Sequence, residues 1–238
     1  MELTPAEEML LVSRTPQGRN LGGRIPVVHG VAGGVLLELA LHGRVVLSDG
    51  RLVAVEGDAG ANPGPGHGTV AGGVPGDVLG PEAEALWKRI RAERRPAKPR
   101  TWVRRTVSGK AYTRVRAGLA ERGILRAEKR RVLGLFPSVG WPEADPGPAA
   151  EVRDRLTRAV NGVRADDRTV ALVMLLDVCG QSGRLYPDLG WRARKARIAK
   201  IAEGPWQSAD TAETVRAITK GVQTEIRMAE AADAANDG

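Results

Sequence analysis

Apolar residues recur along this chain at helical spacing, in blocks separated by short breaks of glycine and proline. Thr4-Pro5-Ala6-Glu7 precedes the run Glu8-Met9-Leu10-Leu11-Val12 and has the parts of a helix start: a capping hydroxyl, a proline suited to the first turn and a carboxylate three places on. The pattern predicts a first helix ending near Arg14. Pro16, Gly18, Gly22, Gly23 and Pro26 then predict a loop over 15–26. The stretch GVAGGVLLELALHGRVVL predicts a helix over 28–42, with Val35, Leu36, Leu39 and Ala40 on its apolar face and Gly43 as its stop. VVLSDGRLVAV predicts a hairpin turning at Asp49-Gly50. Residues 58–76 are rich in Gly and Pro and predict a mobile surface loop.

Downstream, Ala83, Leu86 and Ile90 share one face of a predicted helix over 81–95. A short helix around Trp102 and another over 109–122 follow, the latter stopped by Gly123. ILRAEKRRVLGLFPSVGW predicts two strands with a turn near 134–138. The remainder predicts helices: one lined by Val152, Leu156 and Val160, a buried one over 170–178, and a basic one over 191–202 carrying Arg192, Arg194, Lys195, Arg197 and Lys200. The last has the stripe Val215, Ile218, Val222 and Ile226, with Asp210 and Glu213 as its capping box and a fraying end after residue 228. The expected fold is a mainly α single domain over 1–238 with one protruding β-hairpin and a second short one.

Composition narrows the function. The chain has 238 residues, 42% hydrophobic and 27% charged, enough for a sizeable core. Its apolar runs, Val31–Leu41 and Val170–Leu176, are shorter than the ~20 residues of a spanning helix. The acidic N-terminus is unlike a signal peptide, so the expected location is the cytoplasm, peripherally on the inner face of a membrane. Cys179 sits in VALVMLLDVCG and reads as a small core residue in a reducing compartment. His29, His42 and His67 lack metal-ligand spacing, and neither a Walker loop, a dinucleotide fingerprint nor G-x-S-x-G occurs. No enzyme, metal or cofactor is expected. Asp166-Asp167 reads as a helix-start charge pair.

Charge is polarised. The net of +8 conceals a segment, 88–131, with seventeen Lys/Arg against three Glu, a net of +14 that leaves −6 elsewhere. This favours an anionic partner, phosphate-bearing lipid or nucleic acid, over a merely solvated face. Two features of the helix over 28–42 bear on this. Its glycine-rich front end fits either an anion site at a helix N-terminus or close helix packing. Glu38, inside the apolar face, is expected to be buried against an Arg.

Five segments in order, LTPAEEMLLV, GVAGGVLLELALHGRVVL, GDVLGPEAEALWKRI, TWVRRTVSG and VRAGLAERGILRAEKRRVLGLF, resemble the Golgi phosphoprotein 3 family, which has eukaryotic and many bacterial members, over about residues 3–230. The resemblance implies a helical domain with a projecting hairpin, here 128–139. It also implies binding of phosphatidylinositol 4-phosphate through a basic face, oligomerisation through the hairpin, and an adaptor role with protein clients in membrane sorting. The family's headgroup positions fall at Gly23, Ala32, Gly109 and Tyr112. The basic residues that can substitute are Arg24, Lys110, Arg114 and Arg116, and the expected specificity is for anionic phospholipid in general. The hairpin residues expected to meet a bilayer or a second copy are Val132, Leu133, Leu135 and Phe136. Two alternatives remain. One is a winged-helix-like DNA-binding protein with Tyr112, Thr113, Arg114 and Arg116 on a recognition helix, less favoured because the hairpin tip is apolar. The other is an oligomeric adaptor without lipid binding.

Overall fold

The computed structural model of the chain describes residues 2–55, 78–132 and 136–236, with side chains left aside for 130–132 and 136–138. The loop expected over 58–76, and Leu133 and Leu135 of the hairpin tip, lie outside the described residues.

The first helix, α1 (Pro5–Val12), begins as its sequence predicts. The Thr4 hydroxyl accepts from the Glu7 N–H at 3.3 Å, and a Glu7 carboxylate oxygen accepts from the Thr4 N–H at 2.8 Å. The loop after it is shorter than expected, because α2 (Arg24–Leu41) starts at Arg24. With that extra turn α2 reaches the length and apolarity of a membrane-crossing helix, yet 78% of it is buried within the fold. Helix α1 and six further elements pack around it, so protein rather than lipid covers its apolar face.

The glycines of α2 are close-packing positions. A Cβ on Gly34 would stand 2.6 Å from the Ala6 Cα, and one on Gly33 2.7 Å from Val222. A Cβ on Gly30 would stand 2.2 Å from the Met9 side chain and 3.0 Å from the Cys179 sulfur. Packing is what these residues serve. Cys179 is a buried small residue at the end of α7 (Asp167–Val178), and burial raises its thiol pKa.

The chain leaves α2 through Gly43 (φ +64) into strands β1 (Val45–Ser48) and β2 (Arg51–Ala54). They pair antiparallel around Asp49 (φ 49) and Gly50 (φ 70), the two left-handed residues a tight hairpin turn requires. Helix α3 (Pro81–Arg91) buries Ala83, Leu86 and Ile90 as predicted, and α4 (Pro99–Ser108) buries Trp102 and Val103. Helix α5 (Ala111–Glu121) is stopped at Gly123 (φ 73).

Strands β3 (Glu128–Val132) and β4 (Phe136–Gly140) pair antiparallel, from Glu128 opposite Gly140 to Val132 opposite Phe136. They make their substantial contacts with each other rather than with a helix, and Val139 is 53% exposed. The base of this hairpin is fixed to the body. The Glu143 N–H donates to the Pro16 carbonyl at 2.9 Å, and a Cβ on Gly18 would stand 2.5 Å from the Trp141 carbonyl oxygen.

Helices α6 (Gly147–Val160), α7 (Asp167–Val178), α8 (Ser182–Leu185), α9 (Trp191–Ala202) and α10 (Ala209–Asn236) complete the fold. Asp166 caps α7 through the Thr169 N–H at 2.8 Å, and Asp167 follows in its first turn, the charge pair expected there. The stripe of α10 is buried as predicted, but its start is one turn-edge earlier. Ser208, not Asp210, accepts from the N–H of the helix's third residue, Thr211, at 3.3 Å. The helix runs on to Asn236 with its last turns exposed.

Buried carboxylates tie the layers together. Glu8 of α1 accepts from Arg155 of α6 at 2.7 Å and from Arg168 of α7 at 3.0 Å, and Glu7 accepts from Arg122 of α5 at 2.7 Å. The expected arginine partner for Glu38 is absent. Glu38 is buried, and its Oε1 accepts from the Gly80 N–H at 2.6 Å, with no ion pair to it among the described residues. The chain segment entering α3 runs directly over this carboxylate, so a backbone donor takes the place of a side chain. Burial raises its pKa above the ordinary carboxylate range, an effect opposed by the Gly80 N–H and by the nearby His42.

Candidate functional site

The positive segment divides into cations that are used internally and cations that are free. Lys88 pairs with Glu84, Arg105 with Glu93, Arg114 with Glu82, Arg122 with Glu7 and Arg126 with Glu128. Arg91 lies over the Trp87 ring. By contrast Arg89, Arg94, Arg95, Lys98, Arg100, Arg104 and Lys110 are exposed and have no hydrogen-bond or ion-pair partner among the described residues. They run from the last turns of α3 through the connection to α4 and on to the start of α5. On α4, Arg100 and Arg104 are four residues apart and share a face. The opposite face of α4 packs on α2 and α10, where a Cβ on Gly221 would stand 2.8 Å from the Arg100 backbone nitrogen.

The four cations singled out from the sequence do not share one environment. Arg24 is exposed in the first turn of α2, whose N-cap Gly23 (φ 90) supplies no side-chain cap. Arg184 of α8 approaches the same end, its guanidinium 3.2 Å from where a Gly22 Cβ would stand. Sequence reasoning missed Arg184, since it is some 160 residues away along the chain and only the fold brings it there. Lys110 is exposed in the left-handed region (φ 60) at the junction of α4 and α5. Arg114 is engaged: it makes a two-pronged pair with Glu82 at 2.5 and 2.6 Å and also donates to the Gly109 carbonyl. That bonding with Glu82 raises its pKa further.

Arg116, two residues on, turns the other way. Its guanidinium lies 4.4 Å from the Trp141 ring centre and 5.3 Å from that of Tyr112. Beside it, buried Arg14 donates to the Gly18 carbonyl at 2.5 Å, and burial lowers the pKa of Arg14. Arg116 is thus part of the polar cluster that fixes the hairpin base. Of the family headgroup positions, Ala32 is buried in α2, Gly109 caps the end of α4 and Tyr112 is half-buried under Arg116.

Among the described residues no group of three or more His, Cys, Asp or Glu is placed to hold a metal. Val132 and Phe136 form the last pair of the hairpin before its tip.

A mainly α domain built on a central apolar helix, with one packed hairpin, one projecting hairpin and a strip of unpaired surface cations, is the class this chain falls into. Within that class it belongs to the Golgi phosphoprotein 3 (GPP34) family, whose model matches residues 5–218. No curated protein matches the chain.

Proposed function

We propose that this protein docks reversibly on the anionic face of a phospholipid membrane as a peripheral adaptor in membrane or protein sorting. One observation carries the reading: seven exposed cations between residues 89 and 110 have no internal partner among the described residues. Each Lys or Arg near an anionic surface contributes about 1 kcal/mol, so a few acting together suffice for reversible attachment. Membership of the Golgi phosphoprotein 3 family supports a role at membranes. The family's headgroup positions are occupied here by Gly23, Ala32, Gly109 and Tyr112, none of them cationic, which favours recognition of charge over recognition of one headgroup. Lys110 is one of these seven, and Arg24, exposed at the start of α2 and without a side-chain partner among the described residues, adds a further cation. Arg114 and Arg116 are held by Glu82 and Trp141 and stand outside the unpaired set. The hairpin residues Val132, Leu133, Leu135 and Phe136 complete the attachment by entering the interface or meeting a second copy. No catalytic step forms part of this reading.

Liposome flotation tests it. Vesicles of phosphatidylcholine alone are compared with vesicles carrying phosphatidylserine or phosphatidylinositol 4-phosphate at matched total charge. The expected result is equal flotation with the two anionic kinds and none with the neutral one at low salt. Equal flotation with neutral vesicles overturns the reading, and strong preference for the phosphoinositide at matched charge overturns the charge-only specificity. A gel shift run in parallel addresses the DNA-binding alternative, which the engagement of Arg114 and Arg116 disfavours. The pair Leu135→Asp and Phe136→Asp addresses the adaptor without lipid binding, which predicts oligomers that these changes abolish and no flotation of either form with anionic vesicles.

A further inference from the structure

On a different part of the molecule, α6, α7 and α9 enclose a cleft of about 510 Å³ together with the segment that leads into α10. None of Arg24, Lys110, Arg114 or Arg116 lies in its wall. The wall is mainly apolar, with Val160, Val170, Ile201 and the half-buried Trp206 among its side chains. The Trp206 ring is held in place by its N–H, which donates to the Ala202 carbonyl at 3.0 Å.

Polar residues of the wall divide into those with partners and those without. Asp167 accepts from the Gln207 N–H at 3.1 Å. Arg197 donates to Asn161 at 3.1 Å and to the Val160 carbonyl at 3.4 Å, against the C-terminal end of α6. Arg164 and Lys200 are exposed in the same wall and have no hydrogen-bond or ion-pair partner among the described residues. The cleft thus has an apolar interior and a net positive wall, with the cations Arg164, Arg197 and Lys200 set against the single carboxylate Asp167. It is within the size range in which pockets bury most of a small ligand.

We propose that this cleft binds a small amphipathic anion, a single acyl chain ending in a carboxylate, with the chain against Trp206 and Ile201 and the head between Arg164 and Lys200. Charge complementarity selects the head and apolar burial the tail. The inference is independent of the membrane-docking surface, since a free acyl carboxylate needs no bilayer.

Isothermal titration of the full chain with decanoate, kept below its micelle concentration, tests the proposal against decanol and decyltrimethylammonium as uncharged and cationic probes of equal chain length. Decanoate is expected to bind saturably at one per chain, at least tenfold tighter than either comparison probe. The double variant Arg164→Glu with Lys200→Glu should weaken it at least tenfold. Val163→Asp, at a wall position 54% exposed, should weaken it too. The double variant Arg19→Glu with Arg227→Glu, an equal charge reversal at two exposed positions outside the cleft, should leave it unchanged. Absence of saturable binding, equal binding of the cationic probe, or equal loss in the Arg19→Glu, Arg227→Glu variant overturns the proposal. Circular dichroism of each variant checks the fold, which is expected to hold because the Arg164 and Lys200 side chains have no partner among the described residues.

Discussion

Single residues make the packing of α2 quantitative. Gly34 has no room for a methyl group, because the obstacle at 2.6 Å is the backbone of Ala6. Gly118, inside α5, has nothing within 4 Å of its would-be Cβ. Alanine gains about 1 kcal/mol over glycine in a helix interior, whereas overpacking costs about 1–3 kcal/mol. Gly118→Ala is therefore expected to stabilise by up to about 1 kcal/mol and Gly34→Ala to destabilise on balance. Chemical denaturation of the two variants measures both signs. At Glu38 the pKa is raised by burial, so the folded state holds its proton to higher pH than the unfolded chain does. From about pH 4.3 upward the unfolded chain ionises first, and wild-type stability falls with pH until the folded group has also ionised. Glu38→Gln keeps a carbonyl oxygen for the Gly80 N–H and cannot ionise. Its stability relative to wild type should rise across that window and level off above it, as followed by denaturation at a series of pH values.

Elements were the most legible scale. Apolar spacing located α3, α6 and α10, because each buries one stripe written at 3.6-residue spacing, whereas α7 was legible as a continuous apolar run and α9 as a run of basic residues. Ends were less legible. The first turn of α2 follows Gly22 and Gly23, which read as loop, and the cap of α10 moved from Asp210 to Ser208. Both depend on which N–H groups the surrounding chain leaves free. On α4 the exposed pair Arg100 and Arg104 sits opposite buried Trp102 and Val103, so this element can offer charge outward without loss of packing. Replacing both arginines by alanine should weaken association with phosphatidylserine vesicles by about 2 kcal/mol, roughly thirtyfold, at unchanged melting temperature. Unchanged partitioning in a sedimentation assay would remove α4 from the docking surface.

For the molecule as a whole, charge distribution governs. Internal pairs such as Glu8 with Arg155 and Arg168 are largely shielded from solvent, whereas the cations between 89 and 110 are exposed. Salt therefore acts on the two sets differently. The Debye length falls from about 30 Å at 0.01 M to about 8 Å at 0.15 M ionic strength. Association with anionic vesicles is expected to fall steeply over that range while the thermal unfolding midpoint moves little. A melting curve and a flotation series on the same samples compare the two responses.

The sequence by itself determined the helical class, the family resemblance, the placement of most helices and both hairpins, and the concentration of positive charge in 88–131. These properties are carried by local spacing and by composition, which need no knowledge of neighbours. Tertiary structure decided which charges are free. Arg114 is taken by Glu82 and Arg122 by Glu7, partners 32 and 115 residues away. Glu38 meets the Gly80 N–H, not an arginine, and Arg184 arrives beside Gly22. Each outcome depends on contacts between segments distant along the chain, and a charge acts on a partner outside the molecule only where folding has left it without one inside.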